Sequence, residues 1–324
     1  MSVDRALPVP GDWPGAGLSR MVDAGEVRWH LQRRGEGPGD AAQRPRIVLL
    51  HGAGASTHSW RGLLDLLGDD VDALAVDLPG HGFSSALPPA CSGTLGFARA
   101  LDALLQRLEL SPDLIVGHSA GAAVAIRYAL DVAPVPVLAV NGALVSLGGL
   151  AGRWFAPAAR LVADRGPLVR LVARQARRPD AVARRLEGTG SRFSEVDLAL
   201  YRRLLADEAH VSGVLRMMAN WDLPELEPRL ARLRSPVHLL DAAGDRTLRP
   251  GYRRRVRARL AAAGVLASDL VLEGFGHLLH EEAPVRVAEH VRGLLAAGAS
   301  ACDTVLERAG AAGRDTGETE RERA

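Results

Sequence analysis

The stretch that decides the fold is Leu114-Ile115-Val116-Gly117-His118-Ser119-Ala120-Gly121. Its first three residues are apolar and typical of a buried strand, and the small and apolar residues from Ala122 to Leu130 predict a helix directly after it. Gly-x-Ser-x-Gly between a strand and a helix is the pattern of a nucleophile elbow, a turn so sharp that side chains at the flanking glycines would collide with their neighbours. The pattern predicts a reactive serine at Ser119, although the five residues alone would also fit a serine in a structural turn.

Short apolar runs bounded by turn residues occur on both sides of this stretch. Runs of this kind, alternating with longer amphipathic stretches, predict a buried parallel sheet with helices between its strands. The predicted strands are Val27–Gln32 (alternating, as in an edge strand), Ile47–Leu50, Leu74–Val76, Leu114–Val116, Val135–Val140, Val237–Leu240 and Leu270–Leu272. The predicted helices are Leu95–Leu108, Gly121–Ala129, Tyr252–Ala262 and Val285–Leu295. The fold class is therefore α/β, an α/β-hydrolase fold with a doubly wound, mostly parallel sheet.

The alternation stops between residues 146 and 234, where the sequence predicts helices only. We expect these residues to form a helical lid inserted into a core made of residues 20–145 and 235–297. The insertion has 16 Arg against 10 Asp plus Glu, so it is basic although the net charge of the protein is only +2. Residues 1–19 are predicted to be an N-terminal leader, and residues 298–324, rich in Ala, Gly, Glu and Arg, a disordered tail.

The composition excludes several classes of protein. Hydrophobic residues make up 47% and charged residues 24%, the balance of a globular protein, and the small net charge gives no reason to expect nucleic acid as a partner. The chain has no lysine, which excludes a P-loop lysine, a Schiff-base lysine and a kinase lysine. Cys91 and Cys302 have neither metal-ligand spacing nor enough partners for a disulfide framework, so we expect a reducing, cytoplasmic environment.

One segment, 132–152, carries no charge and could be mistaken for a membrane span. It contains Pro134, Pro136 and four glycines, which suit a buried strand and a glycine-rich loop better than a continuous spanning helix. Asp4 and several prolines precede any apolar run, so the N-terminus does not read as a signal peptide.

The reactive serine needs a general base, which in this fold follows the acid in the chain. His277 lies just beyond the last predicted strand, where a loop could bring it over Ser119. His280 is the alternative, but it precedes two glutamates at a predicted helix start and is expected to cap that helix or face solvent. The two histidines could also be mistaken for a metal site; no third ligand is evident, and no metal or other cofactor is predicted.

The acid is predicted at Asp245, on the turn after the penultimate strand. A carboxylate there can accept the imidazole N–H and hold the reactive tautomer. Asp241, closer to the strand body, is the second choice, and Asp222 in the insertion is a remote third.

Acyl transfer also needs donors for the negative charge that develops on the substrate oxygen. The backbone N–H of Ala120 follows the serine, and the second donor is predicted at Ala53 within His51-Gly52-Ala53-Gly54. A nucleotide-binding glycine loop is the alternative for that segment, but no acidic ribose partner or phosphate-binding lysine accompanies it. Because Ser119 and not an aspartate is at the elbow, dehalogenase and epoxide-hydrolase chemistry is not expected.

From Trp13 to about Leu295 the chain resembles the magnesium-chelatase accessory proteins (BchO) of photosynthetic bacteria, a branch of the α/β hydrolases. The specific motifs are His51-Gly52-Ala53-Gly54-Ala55-Ser56-Thr57-His58-Ser59-Trp60, Val116-Gly117-His118-Ser119-Ala120-Gly121-Ala122-Ala123, Gly188-Thr189-Gly190-Ser191-Arg192 and Met217-Met218-Ala219-Asn220-Trp221-Asp222. The last two lie in the insertion, where unrelated hydrolases differ most. The resemblance implies a role in bacteriochlorophyll synthesis near magnesium insertion, with magnesium-chelatase subunits as candidate partners.

A tetrapyrrole is a flat apolar ring with two propionates, so its site should combine aromatic or thioether surfaces with arginine. Candidates for the apolar wall are Trp154, Phe155, Met217, Met218 and Trp221, and candidates for a carboxylate partner are Arg192 and Arg216. The alternative is that Met217, Met218 and Trp221 pack the insertion onto the core and the arginines are solvated. The segment Arg153–Arg178 is also a candidate for peripheral contact with an anionic membrane surface.

Three hypotheses follow from the sequence. The first is a serine hydrolase that acts on an ester or related acyl bond of a small molecule such as a tetrapyrrole. The second is a tetrapyrrole-binding or chelatase-assisting protein in which the three side chains are not used for catalysis. The third is a lid-bearing hydrolase of an unrelated small acyl or carbon–carbon substrate.

Overall fold

The fold is built on one eight-stranded sheet, seen in a computed structural model that describes residues 8–36, 44–146, 166–248 and 250–298. The strands lie in the order β1-β2-β4-β3-β5-β6-β7-β8. β1 pairs with β2 and β2 with β4 in antiparallel fashion, and every other pair is parallel. The strand bounds are β1 Ser19–Ala24, β2 Val27–Arg34, β3 Arg46–Leu50, β4 Asp72–Val76, β5 Leu114–His118, β6 Val137–Val140, β7 Val237–Ala242 and β8 Leu266–Leu272.

Helices cover both faces of this sheet, which is why the central strands are largely apolar. One face packs on α2 (Thr94–Arg107) and α3 (Ala120–Asp131), the other on α1 (Arg61–Leu67) and a helix over residues 284–298, and each face has its own core cluster. The sequence-based prediction of an α/β-hydrolase fold with a mostly parallel sheet is confirmed.

Neither β1 nor α1 was predicted from the sequence. β1 forms the edge of the sheet next to β2, so the prediction that Val27–Gln32 is an edge strand is wrong. β2 pairs with a strand on each side, and its polar side chains His30 and Gln32 are fully buried. Its alternating polar residues therefore do not mark a solvent-facing edge. Part of the predicted leader also packs on the protein, because Trp13 is buried against Phe83 and Leu200.

Between β6 and β7, the described residues 166–234 form helices joined by short loops. The helices are α4 Gly166–Ala176, α5 Pro179–Glu187, α6 Glu195–Leu205, α7 Glu208–Ala219 and α8 Leu223–Arg229. They contact the loops at the carboxyl ends of the strands: a Cβ on Gly213 of α7 would lie 1.9 Å from the Gly80 carbonyl oxygen, and His210 Nε2 lies 3.3 Å from that of Gly54. The remaining helices are α9 Pro250–Ala262, α10 Leu279–Glu282 and α11, the helix over 284–298.

A partly buried polar cluster joins the insertion to the core. Arg61 at the start of α1 pairs with Asp197 of α6, and the Tyr201 hydroxyl of α6 donates to Glu281 Oε1 at 2.6 Å. Glu281 lies within α10, and the Arg61 guanidinium is 3.6 Å from its other oxygen. Burial raises the pKa of Glu281 to about 7, because Tyr201 and Arg61 only partly offset the loss of water around the carboxylate.

The raised pKa makes the stability of the protein depend on pH. Between the unfolded pKa of 4.5 and about 7 the folded state binds more protons at Glu281 than the unfolded state, so stability falls as pH rises through this window. We expect Glu281→Gln to flatten this fall, measured as urea midpoints from pH 5 to pH 8. The exposed Glu273→Gln is the control and should keep the wild-type slope; equal slopes in all three proteins would contradict the expectation.

Candidate active site

The elbow places Ser119 between β5 and α3 with a backbone φ of 49°, in the left-handed region that few residues other than glycine adopt. Its amide donates to the Val140 carbonyl at 3.1 Å, which ties the turn to the end of β6. The flanking glycines are needed for space. A Cβ on Gly117 would lie 2.5 Å from Ala122 backbone atoms, and one on Gly121 would lie 2.2 Å from the Leu50 carbonyl oxygen.

The structure brings Ser119, His277 and Asp245 together. His277 Nε2 lies 3.0 Å from Ser119 Oγ, and Nδ1 lies 2.8 Å from Asp245 Oδ2. The other carboxylate oxygen of Asp245 accepts the amides of Thr247 at 2.7 Å and Leu248 at 3.0 Å, so the carboxylate is fixed by its own turn. With its proton on Nδ1 the imidazole donates to Asp245, and Nε2 is left free to accept the serine hydroxyl proton.

The residues considered as alternatives to Asp245 and His277 make other contacts. Asp241 lies within β7, where burial raises its pKa to about 6, and the imidazole Nδ1 bonds to Asp245 instead. Asp222 accepts the Thr94 amide at 3.0 Å at the start of α2. The expectation that His280 caps a helix or faces solvent is wrong: it is 1% exposed, and its ring centre lies 4.2 Å from that of His118.

The two residues predicted as oxyanion donors lie in segments that adjoin the serine. Ala120 is the first residue of α3, and Ala53 is exposed in the loop after β3. That loop passes directly against the elbow, since a Cβ on Gly52 would lie 3.2 Å from Ser119 Cβ. His51 fixes it by accepting the Leu78 amide at Nε2, 2.9 Å away, and donating from Nδ1 to the Gly52 carbonyl at 2.8 Å.

Sequence reasoning missed Asn141, which directly follows β6. Its buried carboxamide accepts the Ala242 amide at 2.8 Å and donates to the carbonyls of His277 at 2.8 Å and Gly276 at 3.2 Å. His118 Nε2 donates to the same His277 carbonyl at 2.9 Å. Both side chains therefore hold the main chain of the histidine loop. An asparagine at the end of an apolar strand was the available signal.

Asp77, which directly follows β4, was also missed. This fully buried carboxylate accepts the amides of Thr57 at 2.6 Å and Phe83 at 2.8 Å, and it lies 2.7 Å from His30 Nδ1. Burial alone would raise the pKa of Asp77, but the charge of His30 and the hydrogen bond to it outweigh burial and hold this pKa well below its usual range. Asp77 thus joins three segments of chain beside the site.

The residues predicted to bind a tetrapyrrole differ in how deeply they are buried. Met217 is fully buried in the core cluster that contains α2 and α3, a position that favours the packing alternative. Trp221 is partly buried against the same cluster, and Met218 is partly buried on α7. Arg192 is exposed, and its amide lies 3.2 Å from Glu282 Oε2; Arg216 is half-buried. Trp154 and Phe155 lie outside the described residues.

In the described ranges, no group of three His, Cys, Asp or Glu side chains is arranged to hold a metal ion, and no helix is both long and apolar enough to cross a membrane. Within the predicted membrane-contact segment, α4 packs inward through Val169 and Ala173, while Arg170 and Arg174 are exposed beside Leu171. Contact of this face with an anionic membrane stays a prediction.

Comparison with known proteins agrees with this architecture. Residues 47–290 match the model of the alpha/beta hydrolase family, and the chain belongs to that family. Within it, the chain is a BchO-like α/β hydrolase: it is 36% identical over 280 residues to the magnesium-chelatase 30 kDa subunit of Rhodobacter capsulatus, covering 86% of this chain and 94% of that protein.

More distant relatives extend the comparison. An uncharacterized hydrolase of Bacillus subtilis, YugF, is 26% identical over 252 residues, covering 76% of this chain and 89% of that protein. Potato (Solanum tuberosum) epoxide hydrolase I superposes with a TM-score of 0.67 at 18% identity, covering 86% of this chain and 98% of that one. The likeness to the potato enzyme shows the shared fold alone.

Removing the Asp77 carboxylate should destabilise the protein strongly. Asp77→Ala leaves two buried amides and His30 without their acceptor, and breaking a buried pair in this way costs about 3–5 kcal/mol. The control is Asp65→Ala, because Asp65 is 75% exposed and pairs with Arg34 at the surface, where a pair contributes about 0–1 kcal/mol. Urea unfolding measures both; similar losses in the two variants would contradict the structural role of Asp77.

Proposed function

We propose that the protein is a serine hydrolase that acts on an ester or related acyl bond. The observation that carries this proposal is the His277 imidazole, which lies 3.0 Å from Ser119 Oγ on one side and 2.8 Å from Asp245 on the other. A hydroxyl in contact with a base that a third group orients is the arrangement of an activated nucleophile.

The reaction follows from this geometry. Ser119 Oγ attacks the acyl carbon while its proton passes to His277 Nε2, and the imidazolium that forms is stabilised by the Asp245 carboxylate. The imidazolium then gives the proton to the leaving group, whose bond to the acyl carbon breaks, and an acyl-serine remains. Water attacks this ester by the same route, with His277 again as base, and restores the free serine.

The Ala53 and Ala120 amides are proposed to donate to the oxygen that becomes negative. Ala120 is the residue after the nucleophile at the start of α3, so its N–H is one of the amides that the helix leaves without an internal acceptor. Each such donor contributes on the order of 3–4 kcal/mol to the transition state.

The cellular role is proposed from the relative. The magnesium-chelatase 30 kDa subunit shares nearly its full length with this chain, which supports a role in bacteriochlorophyll synthesis near the magnesium-chelatase step. The substrate is then a small molecule of that route, such as a tetrapyrrole ester, and chelatase subunits are the candidate partners. The second candidate function, assistance to the chelatase without catalysis, is supported by the same relative.

Ser119→Ala tests the chemistry. A fluorophosphonate probe should label the wild-type protein at Ser119 only, and the variant should lose both labelling and hydrolysis of a p-nitrophenyl ester. Asp245→Asn should keep the fold but lower the rate by up to about 10⁴-fold, because the imidazole loses its orienting acceptor. The control is Ser92→Ala, which removes a serine outside the site. Equal labelling of wild type and Ser119→Ala would reject the proposed nucleophile.

The same variant separates catalysis from chelatase assistance. In a bacteriochlorophyll-producing cell that lacks its own copy of the protein, the wild-type chain should restore pigment, and Ser119→Ala should leave pathway intermediates to accumulate. Extracted tetrapyrroles measured by absorbance and chromatography give the result. Full restoration by the alanine variant would reject the enzymatic role, even where the probe reacts with wild-type Ser119.

A further inference from the structure

The loop 188–192 of the insertion lies between the two loops that carry the proposed acid and base. It is the first part of the connection between α5 and α6 and reads Gly188-Thr189-Gly190-Ser191-Arg192. The Thr189 carbonyl accepts the amide of Arg246 at 3.0 Å, and Ser191 Oγ accepts the amide of Leu278 at 2.8 Å. Arg246 directly follows Asp245, and Leu278 directly follows His277. The loop therefore bonds to the neighbour of each group.

Main-chain packing brings the three segments into direct contact. Gly190 has a φ of 87°, and a Cβ there would lie 2.2 Å from the Gly244 carbonyl oxygen, next to the acid. A Cβ on Gly276, next to the base, would lie 2.3 Å from the Gly190 carbonyl carbon. Backbone thus meets backbone on both sides, and these contacts have no room for even an alanine.

We propose that Ser191 and Gly190 are positioning residues that hold His277 in line with Asp245, an inference that rests on the proposed serine-hydrolase function. Asn141 fixes the histidine loop from the core side, through the carbonyls of Gly276 and His277. Ser191 fixes the same loop from the opposite element, the insertion. The insertion then takes part in setting the catalytic geometry.

The physical reason is that the reaction tolerates only a small displacement of the His277 imidazole. Proton transfer through an imidazole needs both of its hydrogen bonds at once, and a displacement of about 1 Å can lower a rate about 10²-fold. The Leu278 amide is buried, so without the Ser191 hydroxyl it has no acceptor in place. The loop around His277 would shift to satisfy that amide.

Ser191→Ala and Ser235→Ala form a matched pair for the test. Both serines are buried, 5% and 3% exposed, and each hydroxyl accepts one backbone amide, Leu278 at 2.8 Å and Val135 at 3.1 Å. The two variants should lose similar stability in urea. Only Ser191→Ala should lower kcat for a p-nitrophenyl ester, by about 10- to 100-fold, with KM nearly unchanged.

The pH–rate profile gives a readout that a purely structural role would not move. Because Ser191→Ala should weaken the pairing of the imidazole with the Asp245 carboxylate, the pH dependence of kcat for this variant should differ from that of wild type. The profile of Ser235→Ala should coincide with that of wild type.

Gly190→Ala and Gly264→Ala form a second pair. Both glycines have positive φ, 87° and 71°, but a Cβ on Gly264 meets no atom within 4 Å among the described residues. Backbone strain is therefore common to both, and only Gly190→Ala should lower kcat and slow fluorophosphonate labelling.

Two results would overturn the inference. One is an equal loss of kcat in both members of each pair; the other is that Ser191→Ala and Gly190→Ala lose stability but keep the wild-type kcat. The Ser119→Ala variant distinguishes failure of this inference from failure of the proposed function. When Ser119→Ala abolishes turnover but Ser191→Ala behaves as Ser235→Ala, the hydrolase proposal stands and the positioning role is rejected.

Discussion

The whole site depends on one strained turn. Ser119 has a left-handed backbone, a conformation that costs a residue with a side chain roughly 1–3 kcal/mol. The strain is maintained because β5 and α3 are both buried and leave the connecting residue no other path. Bonds to the ends of neighbouring strands, such as that from the Ser119 amide to Val140, fix the direction of the hydroxyl. His277 and Asp245 can act on the hydroxyl only because this turn fixes where the hydroxyl lies.

The sequence predicted the elbow, the acid turn and the histidine loop because each has a local signal. Glycines around a serine, or an aspartate just after an apolar run, report on the few residues beside them. Parallel strands bring their carboxyl ends to one edge of the sheet, so three local signals were sufficient to place Ser119, Asp245 and His277 together. Strand β1 and helix α1 lacked such signals, since β1 is defined by its pairing with β2.

The polar supports of the site were harder to predict because they act between distant segments. Asn141 bonds to residues more than 100 positions away, and no pattern around it indicates those partners. His280 was misplaced for a related reason. The two glutamates after it indicated an exposed helix start, yet packing against Trp60 and His118 buries the ring. Burial lowers the pKa of His118 and His280 well below the usual value, so these rings are neutral at pH 7.

The backbone contact of Gly190 with Gly244 has a consequence for how such proteins can be re-engineered. One way to alter such a protein is to transplant the helical insertion of another hydrolase onto its core. Here the donor of a transplanted insertion would have to supply a five-residue segment with the same glycine and serine spacing as 188–192, or the recipient would lose its fit around the acid turn. We therefore expect the core and the insertion to change together in this branch. A chimera should take both from the same protein.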